Sequence, residues 1–467
     1  MELENRKREE LDYPPDHADL AEPQNVDLAC SQDTDMLMAS TATAMMRGRS
    51  LEMCIYLMDK TGLQFVVEDG RRSKAEELQE MVIQDIGISE EAREIFSLWL
   101  MSPLLEIQLK PHHCPFKITC QWDELLMKFT NATEEQVERD EPILMLRRQV
   151  FVPREREKYI SDPEIVRLLY SEACTNIVEG RYPVEPRDYH RFAGMQACIQ
   201  FGMYNQAVHT TKFYKDNVED FYPDHVCKKS WSIPGMRHKR STVEAWAHEH
   251  REISMAYTGE RPEEKQAIRL MYLQDCQKLP YYGGAIFHGQ VEKPSGALGK
   301  VTGSHDLHVN VAINRDGVFV IDKEKVTSLL GLLYKDLSWD YAEPEDATNR
   351  DRLPCLFLQF KGDEPADEKA SLVLQVFSRQ AVMMDALIEA CVRAIMEQQQ
   401  REAGSRDHVD GPASAAPLQE QIAAKLKSNT NTCMSNKLKR LCLSTVNAQG
   451  MARKWRSKAQ ASVSVVT

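Results

Sequence analysis

The hydrophobic pattern of the chain changes period twice. Between Leu51 and about Gln149 it is mixed. Leu51, Met53, Ile55 and Leu57 alternate with their neighbours and fall on one face of a strand. The run Gln64-Phe-Val-Val follows a Thr61-Gly62 turn and predicts a second strand. Ser73 and Glu76 stand at capping-box spacing and predict a helix through Leu78, Met81 and Val82. IFSLWL, from Ile95 to Leu100, returns to strand. Two strands, a helix and further strands describe a small α+β unit.

From Ser161 to Leu279 the period is helical. Ser161-Asp-Pro-Glu164 offers a second capping box with Pro near the first turn. Ile165, Leu168, Leu169, Ala173 and Ile177 then recur on one helix face. Ser241 and Glu244 predict a helix through Trp246 and Ile253, and Arg261-Pro262 predicts another that ends before Pro280. Several helices without strands between them predict a compact all-α domain.

From Tyr281 to Phe377 the period becomes two. Val309, Val311 and Ile313 alternate with Asn310, Ala312 and Asn314. Asp316-Gly317 then joins them to VFVID, a strong hairpin signal. Leu356, Leu358 and Phe360 alternate again, as do Leu372, Leu374 and Val376. SRQAVMMDALIEACVRAIMEQQQ closes the region as one long helix. About seven strands capped by a C-terminal helix is the sequence shape of a pleckstrin-homology or phosphotyrosine-binding module.

Composition narrows the function classes. The chain has 467 residues and a formal net charge of −13, which argues against a general nucleic-acid binder. The charge is uneven: −6 over residues 1–50, −14 over the middle and +7 over residues 401–467. No run reaches the ~18 apolar residues of a membrane span, and MELENRKREELDYPPD has no apolar signal core, so a cytoplasmic protein is expected. The 12 cysteines form no C-x-x-C pair and read as reduced thiols.

Enzyme signatures fail one by one. His113-Cys114 would need an arginine six residues after the cysteine to hold a phosphate, and Cys120 stands there. Gly296-Ala-Leu-Gly299-Lys300 precedes Val301 where a phosphate-binding loop needs Ser or Thr. His248 and His250 lack the i,i+4 spacing of a zinc dyad. His112, His113, Cys114 and Cys120 are four possible metal ligands, but the adjacent His112 and His113 point to opposite faces of an extended strand, so loop polar residues or core thiols are expected instead. No catalytic residue, cofactor or metal is expected.

The order of the three regions resembles a FERM domain. EPILMLRRQVFVP followed by SDPEIVRLLYSEACTNIVEGRYPV resembles the join between its first two lobes. GMQACIQFGMY (Gly194 to Tyr204), Trp246-Ala-His-Glu-His250 and LPYYGGAIFHGQ resemble segments of the second lobe and the entry to the third. The resemblance implies an α+β multidomain chain in three lobes. Residues 50–150 would be ubiquitin-like, 159–280 all-α and acyl-CoA-binding-protein-like, and 281–399 a PH/PTB-like β-sandwich with a C-terminal helix. Residues 1–49 and 400–467 are expected to be disordered, the first acidic and the second basic. The resemblance also implies an adaptor, peripheral at the plasma membrane, for cytoplasmic tails of transmembrane proteins. iRhom-type pseudoproteases and an LRP-type co-receptor of Wnt signalling are the kinds of partner implied. The alternative is a general band 4.1-type membrane–cytoskeleton scaffold held by phosphoinositide, although no lysine cluster on the first or third lobe stands out in sequence.

In PH/PTB-like folds an extended peptide adds to a strand edge beside the C-terminal helix. By position that strand is Lys335–Tyr341 and the helix Ser378–Met396. The candidate groove residues are Leu337, Ser338, Trp339, Asp340, Met384, Ile388 and Cys391; the competing reading of each is sandwich core. Asp336, Asp340, Glu343, Glu345 and Asp346 would favour a basic ligand, or are solvated surface. In the tail, Lys437, Lys439 and Arg440 form one basic patch, and Arg453, Lys454, Trp455, Arg456 and Lys458 another. They suit anionic lipid, or the acidic body of the same chain, or a spacer carrying phosphosites such as Ser444 and Ser457, or simply a solubilising tail.

Overall fold

The computed structural model describes residues 50–228, 241–292, 306–344, 349, 351–361, 371–406, 444–446 and 452–454. The acidic segment 1–49 lies outside them.

The first lobe is a five-stranded sheet built from β1 (Leu51–Tyr56), β2 (Gly62–Val67), β3 (Phe96–Met101), β4 (Glu106–Gln108) and β5 (Ile143–Arg148), in the order β2-β1-β5-β3-β4. β1 and β2 form a hairpin with Leu51 opposite Val67, and β1 runs parallel to β5. Helices α1 (Ala75–Asp85) and α2 (Trp122–Phe129) supply Leu78, Val82 and Leu126 to the core around Ile55 and Leu98. The cap of α1 lies one residue later than the spacing predicts. The Glu77 carboxylate accepts the Lys74 N–H at 3.0 Å, while Ser73 is buried.

The second lobe is all helix: α3 (Pro163–Val178), α4 (Pro186–Phe201), α5 (Thr211–Asn217), α6 (Thr242–Ala256) and α7 (Pro262–Cys276). Asp162, rather than Ser161, caps α3, accepting from Glu164 N–H at 2.9 Å. The Ser241–Glu244 box is formed in both directions. Trp246 fills the centre and donates its indole N–H to the Ala193 carbonyl at 2.9 Å. The helices α4 and α6 touch at Gly194, where a Cβ would stand 2.7 Å from that of Glu249 and 2.9 Å from the Glu249 carbonyl carbon. That approach is why a glycine interrupts the helix there.

The third lobe is a seven-stranded antiparallel sheet of sandwich form closed by a helix. Its strands are β6 (Ala285–Val291), β7 (Leu307–Ile313), β8 (Gly317–Asp322), β9 (Thr327–Leu333), β10 (Leu337–Ala342), β11 (Cys355–Lys361) and β12 (Ser371–Phe377). They run in the order β10-β11-β12-β6-β7-β8-β9, so β9 and β10 are the two end strands. β12 and β6 share a single paired position, Phe377 opposite Gln290, which lets the sheet fold over into two layers. The strand predicted from Lys335 begins at Leu337, because Tyr334–Asp336 is a 3-10 turn. The closing helix α8 (Ala381–Arg406) starts after Ser378, whose hydroxyl accepts the Gln380 N–H at 3.0 Å, and passes the expected limit at residue 399. Beyond it the chain forms β13 (Ser444–Val446) and β14 (Ala452–Lys454), an antiparallel pair inside the stretch expected to lack structure.

Two arginines tie the lobes together. Arg148, at the end of β5, puts its Nε 2.5 Å from the Glu157 carboxylate. It also donates to the carbonyls of Val152 and Gly283, at 2.7 and 3.4 Å. Glu157 accepts in turn from Tyr282 and Gln277 at 2.7 and 2.8 Å. Arg154 donates to the carbonyls of Gln277, Leu279 and Pro280 within 3.0 Å. The segment joining lobes one and two thus grips the segment joining lobes two and three.

Candidate binding groove

The groove elements are positioned by the pattern of β10. Leu337 and Trp339 point into the sandwich and are buried, while Ser338 and Asp340 on the opposite face are half-buried. β10 pairs with β11 alone, Trp339 standing opposite Leu358, and its other edge is the end of the sheet. From α8, Met384, Ile388 and Cys391 are fully buried in the same apolar cluster as Leu337 and Trp339. Of the seven predicted groove residues, Leu337, Trp339, Met384, Ile388 and Cys391 are therefore part of the lobe's core, and Ser338 and Asp340 are the two on the outward face. A helix turn is the reason: positions 384, 388 and 391 share the stripe that must cap the sandwich.

One bond joins strand to helix. The Trp339 indole N–H donates to Asp385 at 2.9 Å. Burial raises the Asp385 carboxyl, the Trp339 bond lowers it, and the charges of Glu389 and Asp340 raise it further. Burial likewise pushes the Cys391 thiol up to about 11, so it is a packed thiol rather than a nucleophile. Asp340, Glu343, Asp385 and Glu389 give this side of the lobe a negative rim, on which Arg393 pairs with Glu389 at 2.6 Å. Asp336 lies in the turn before β10, and Glu345 and Asp346 lie outside the described residues.

A second charged surface was not legible in sequence. The segment 110–117 folds against the start of α1. The His113 and Pro111 carbonyls accept the Ala75 and Glu76 N–H groups at 2.8 and 3.0 Å, and the Cys114 thiol donates to the Arg71 carbonyl. Arg71 lies over the Phe116 ring, 5.7 Å from its centroid. Arg71, Arg72, Lys110, His112 and Lys117 are thereby gathered, all exposed, and the four cationic residues among them pair with no carboxylate within 4 Å among the described residues. Burial, then the charges of His112 and Lys110, holds His113 below the usual histidine range. The tail residues Lys437, Lys439, Arg440, Trp455, Arg456 and Lys458 lie outside the described residues, and Arg453 and Lys454 fall in β14.

Among the described residues no three His, Cys, Asp or Glu side chains converge to hold a metal ion, and no helix is long and apolar enough to cross a membrane.

A ubiquitin-like sheet, an all-α lobe and a helix-capped sandwich with an open end strand define a FERM module. Residues 155–287 match the FERM central domain, and residues 307–387 match the C-lobe of the KRIT1/FRMD8 FERM domain. The chain is 36% identical over 375 residues to FERM domain-containing protein 8 of Mus musculus, covering 79% of this chain and 78% of that one. It is 32% identical to the Danio rerio protein of that name, covering 84% and 82%. The chain belongs to the FERM domain-containing protein 8 family. The C-terminal MyTH4-FERM domain of human myosin 7b, solved in complex with the harmonin-a PDZ3 domain, shares the fold at a TM-score of 0.50 and 15% identity, over 74% of this chain and 60% of that one.

Proposed function

We propose that this chain is a non-catalytic FERM adaptor that docks cytoplasmic tails of transmembrane proteins at the inner face of the plasma membrane. The observation that carries the reading is the unpaired outer edge of β10 beside α8. An extended segment gains affinity there from main-chain hydrogen bonds, and the acidic rim of Asp340, Glu343, Asp385 and Glu389 selects a segment with basic side chains. The family resemblance directs the choice of ligand to cytoplasmic tails of iRhom-type pseudoproteases and of an LRP-type co-receptor in Wnt signalling.

The test is calorimetric titration of the full chain with those tails. Asp340→Lys with Glu343→Lys, both away from the buried floor, should weaken binding by roughly tenfold. Unchanged affinity removes this groove from the mechanism. Trp339→Ala and Met384→Glu are unsuitable probes, because both side chains are core.

The cationic surface of Arg71, Arg72, Lys110 and Lys117 favours a second reading, a band 4.1-type scaffold held by anionic phosphoinositide. Co-sedimentation with vesicles that survives loss of the tail charges and disappears in Arg71→Glu with Lys110→Glu supports it.

A further inference from the structure

The paired side of β10 fixes which of its backbone groups are spare. The Ser378 N–H donates to the Pro354 carbonyl at 2.9 Å, in register with the β11–β12 ladder. Bonded positions alternate along an antiparallel ladder, so Leu356, Leu358 and Phe360 of β11 turn their N–H and C=O groups to β12. Cys355, Phe357 and Gln359 turn theirs to β10, where they meet Ala342, Asp340 and Ser338. Leu337, Trp339 and Tyr341 therefore direct their backbone groups to the open edge.

Two of these outward N–H groups are already taken. The Leu337 N–H donates to the Tyr334 carbonyl in the 3-10 turn. The Tyr341 N–H donates to the Asp340 carboxylate at 2.9 Å. Among the described residues the Trp339 N–H, which lies between them, has no such acceptor. A strand laid antiparallel on this edge exchanges both backbone bonds with Trp339 at once. Two residues further along it meets the Tyr341 N–H with Asp340 already on it. The ligand residue directly opposite Asp340 lies between those two positions, and its side chain stands on the same outward face of the sheet. A lysine or arginine there reaches the carboxylate and draws it off the amide. A neutral residue there leaves Asp340 where it is.

We infer that Asp340 is the specificity gate of the β10 edge: it caps the Tyr341 N–H in the free chain and yields it to a strand whose residue opposite Asp340 is cationic. The gate rests on the docking of tails proposed above, and adds the position at which their charge is read. With two of its three outward donors occupied, the edge offers a neutral strand little to pair with, which guards it against indiscriminate pairing.

Asp340→Asn and Asp340→Ala separate cap from charge, since both remove the charge and only the second removes the acceptor. The first readout needs no ligand. In the full chain labelled with nitrogen-15 at its 15 tyrosines, the Tyr341 amide is assigned by its loss in Tyr341→Phe. Its protection from hydrogen exchange, referenced to the intrinsic rate of each sequence, should fall about tenfold in Asp340→Ala and stay near the wild-type value in Asp340→Asn. The second readout is titration of each form with a lysine-bearing tail peptide and with its twin, in which every lysine is changed to glutamine. Wild type should prefer the lysine peptide by about tenfold, and the twin should bind Asp340→Ala about fivefold more tightly than Asp340→Asn. Equal Tyr341 protection in wild type and Asp340→Ala, or equal binding of the twin by the two variants, overturns the gate and leaves tail docking in the groove standing. Failure of both peptides to bind wild type overturns the docking and the gate together.

Discussion

The Arg148 guanidinium and the Glu157 carboxylate meet at 2.5 Å with both side chains almost wholly removed from solvent. Five further hydrogen bonds surround the pair, from Arg148 to the Gln149, Val152 and Gly283 carbonyls and to Glu157 from Tyr282 and Gln277. Burial lowers the Arg148 pKa, but the charge of Glu157 and the hydrogen bond to it more than offset this and raise it, so the guanidinium stays charged.

Arg148→Met should therefore cost about 3–5 kcal/mol, because it strands the Glu157 charge in the interior. Chemical unfolding measures it. Arg148→Met with Glu157→Leu should recover part of that loss, since the uncompensated charge is then gone. A double variant no better than the single one would show that the carbonyl contacts of Arg148, not the ion pair, hold the junction.

His250 should make the second lobe acid-sensitive. Its Nε2 lies 2.8 Å from the Gly202 carbonyl, which can only accept, so that nitrogen carries the proton. Nδ1 is then left to accept from the Tyr214 hydroxyl at 2.8 Å. Burial lowers the pKa to about 4, with the Gly202 bond opposing and His209 adding a small push down. The folded value lies below the unfolded one, near 6.5, so this contribution is complete above about pH 6.5 and shrinks as pH falls toward 4. A loss of about 1–3 kcal/mol is expected over that window. In His250→Gln the slope of stability against pH should be shallower, with His190 and His209, also lowered by burial, supplying the remainder. An unchanged slope would acquit His250.

The Trp339–Asp385 bond predicts a small, specific cost. Trp339→Phe keeps a ring in the core but removes the indole donor to Asp385, and should destabilise by about 1–2 kcal/mol. Asp385→Asn in the same chain should show coupling in a double-mutant cycle. Additive effects would mean that the bond contributes nothing beyond the two side chains' packing.

Val326 offers a gain rather than a loss. It sits at φ 50°, in the left-handed region, in the turn before β9. A β-branched residue is strained there by about 1–2 kcal/mol. Val326→Asn should raise the midpoint of thermal unfolding by a few degrees. A fall would show that the valine methyls, which approach Gly180 of the second lobe, stabilise by more than the backbone strain costs.

What the sequence disclosed, and what it withheld, divides along range. The Asp316-Gly317 hairpin, the Ser241–Glu244 cap and the stripe Ile165 to Ile177 depend on residues a few positions apart, and each is where local chemistry puts it. The caps of α1 and α3 are one residue later than spacing suggests, because Glu77 and Asp162 compete with Glu76 and Ser161 for the same free amides. The groove residues illustrate a stricter limit. Periodicity puts Leu337 and Trp339 on one face, yet it does not say that this face and Met384, Ile388 and Cys391 would close on each other. The cationic surface of Arg71, Arg72, Lys110 and Lys117 was invisible for the same reason: roughly forty positions separate its halves, and only the docking of 110–117 on the start of α1 unites them.

The grip of Arg154 on the carbonyls of Gln277, Leu279 and Pro280 has a mechanical corollary. Force applied to the third lobe would load a cross-braced joint in shear, with several hydrogen bonds strained together, instead of opening a hinge one bond at a time. Tension applied at one end would therefore reach the other two lobes with little slack.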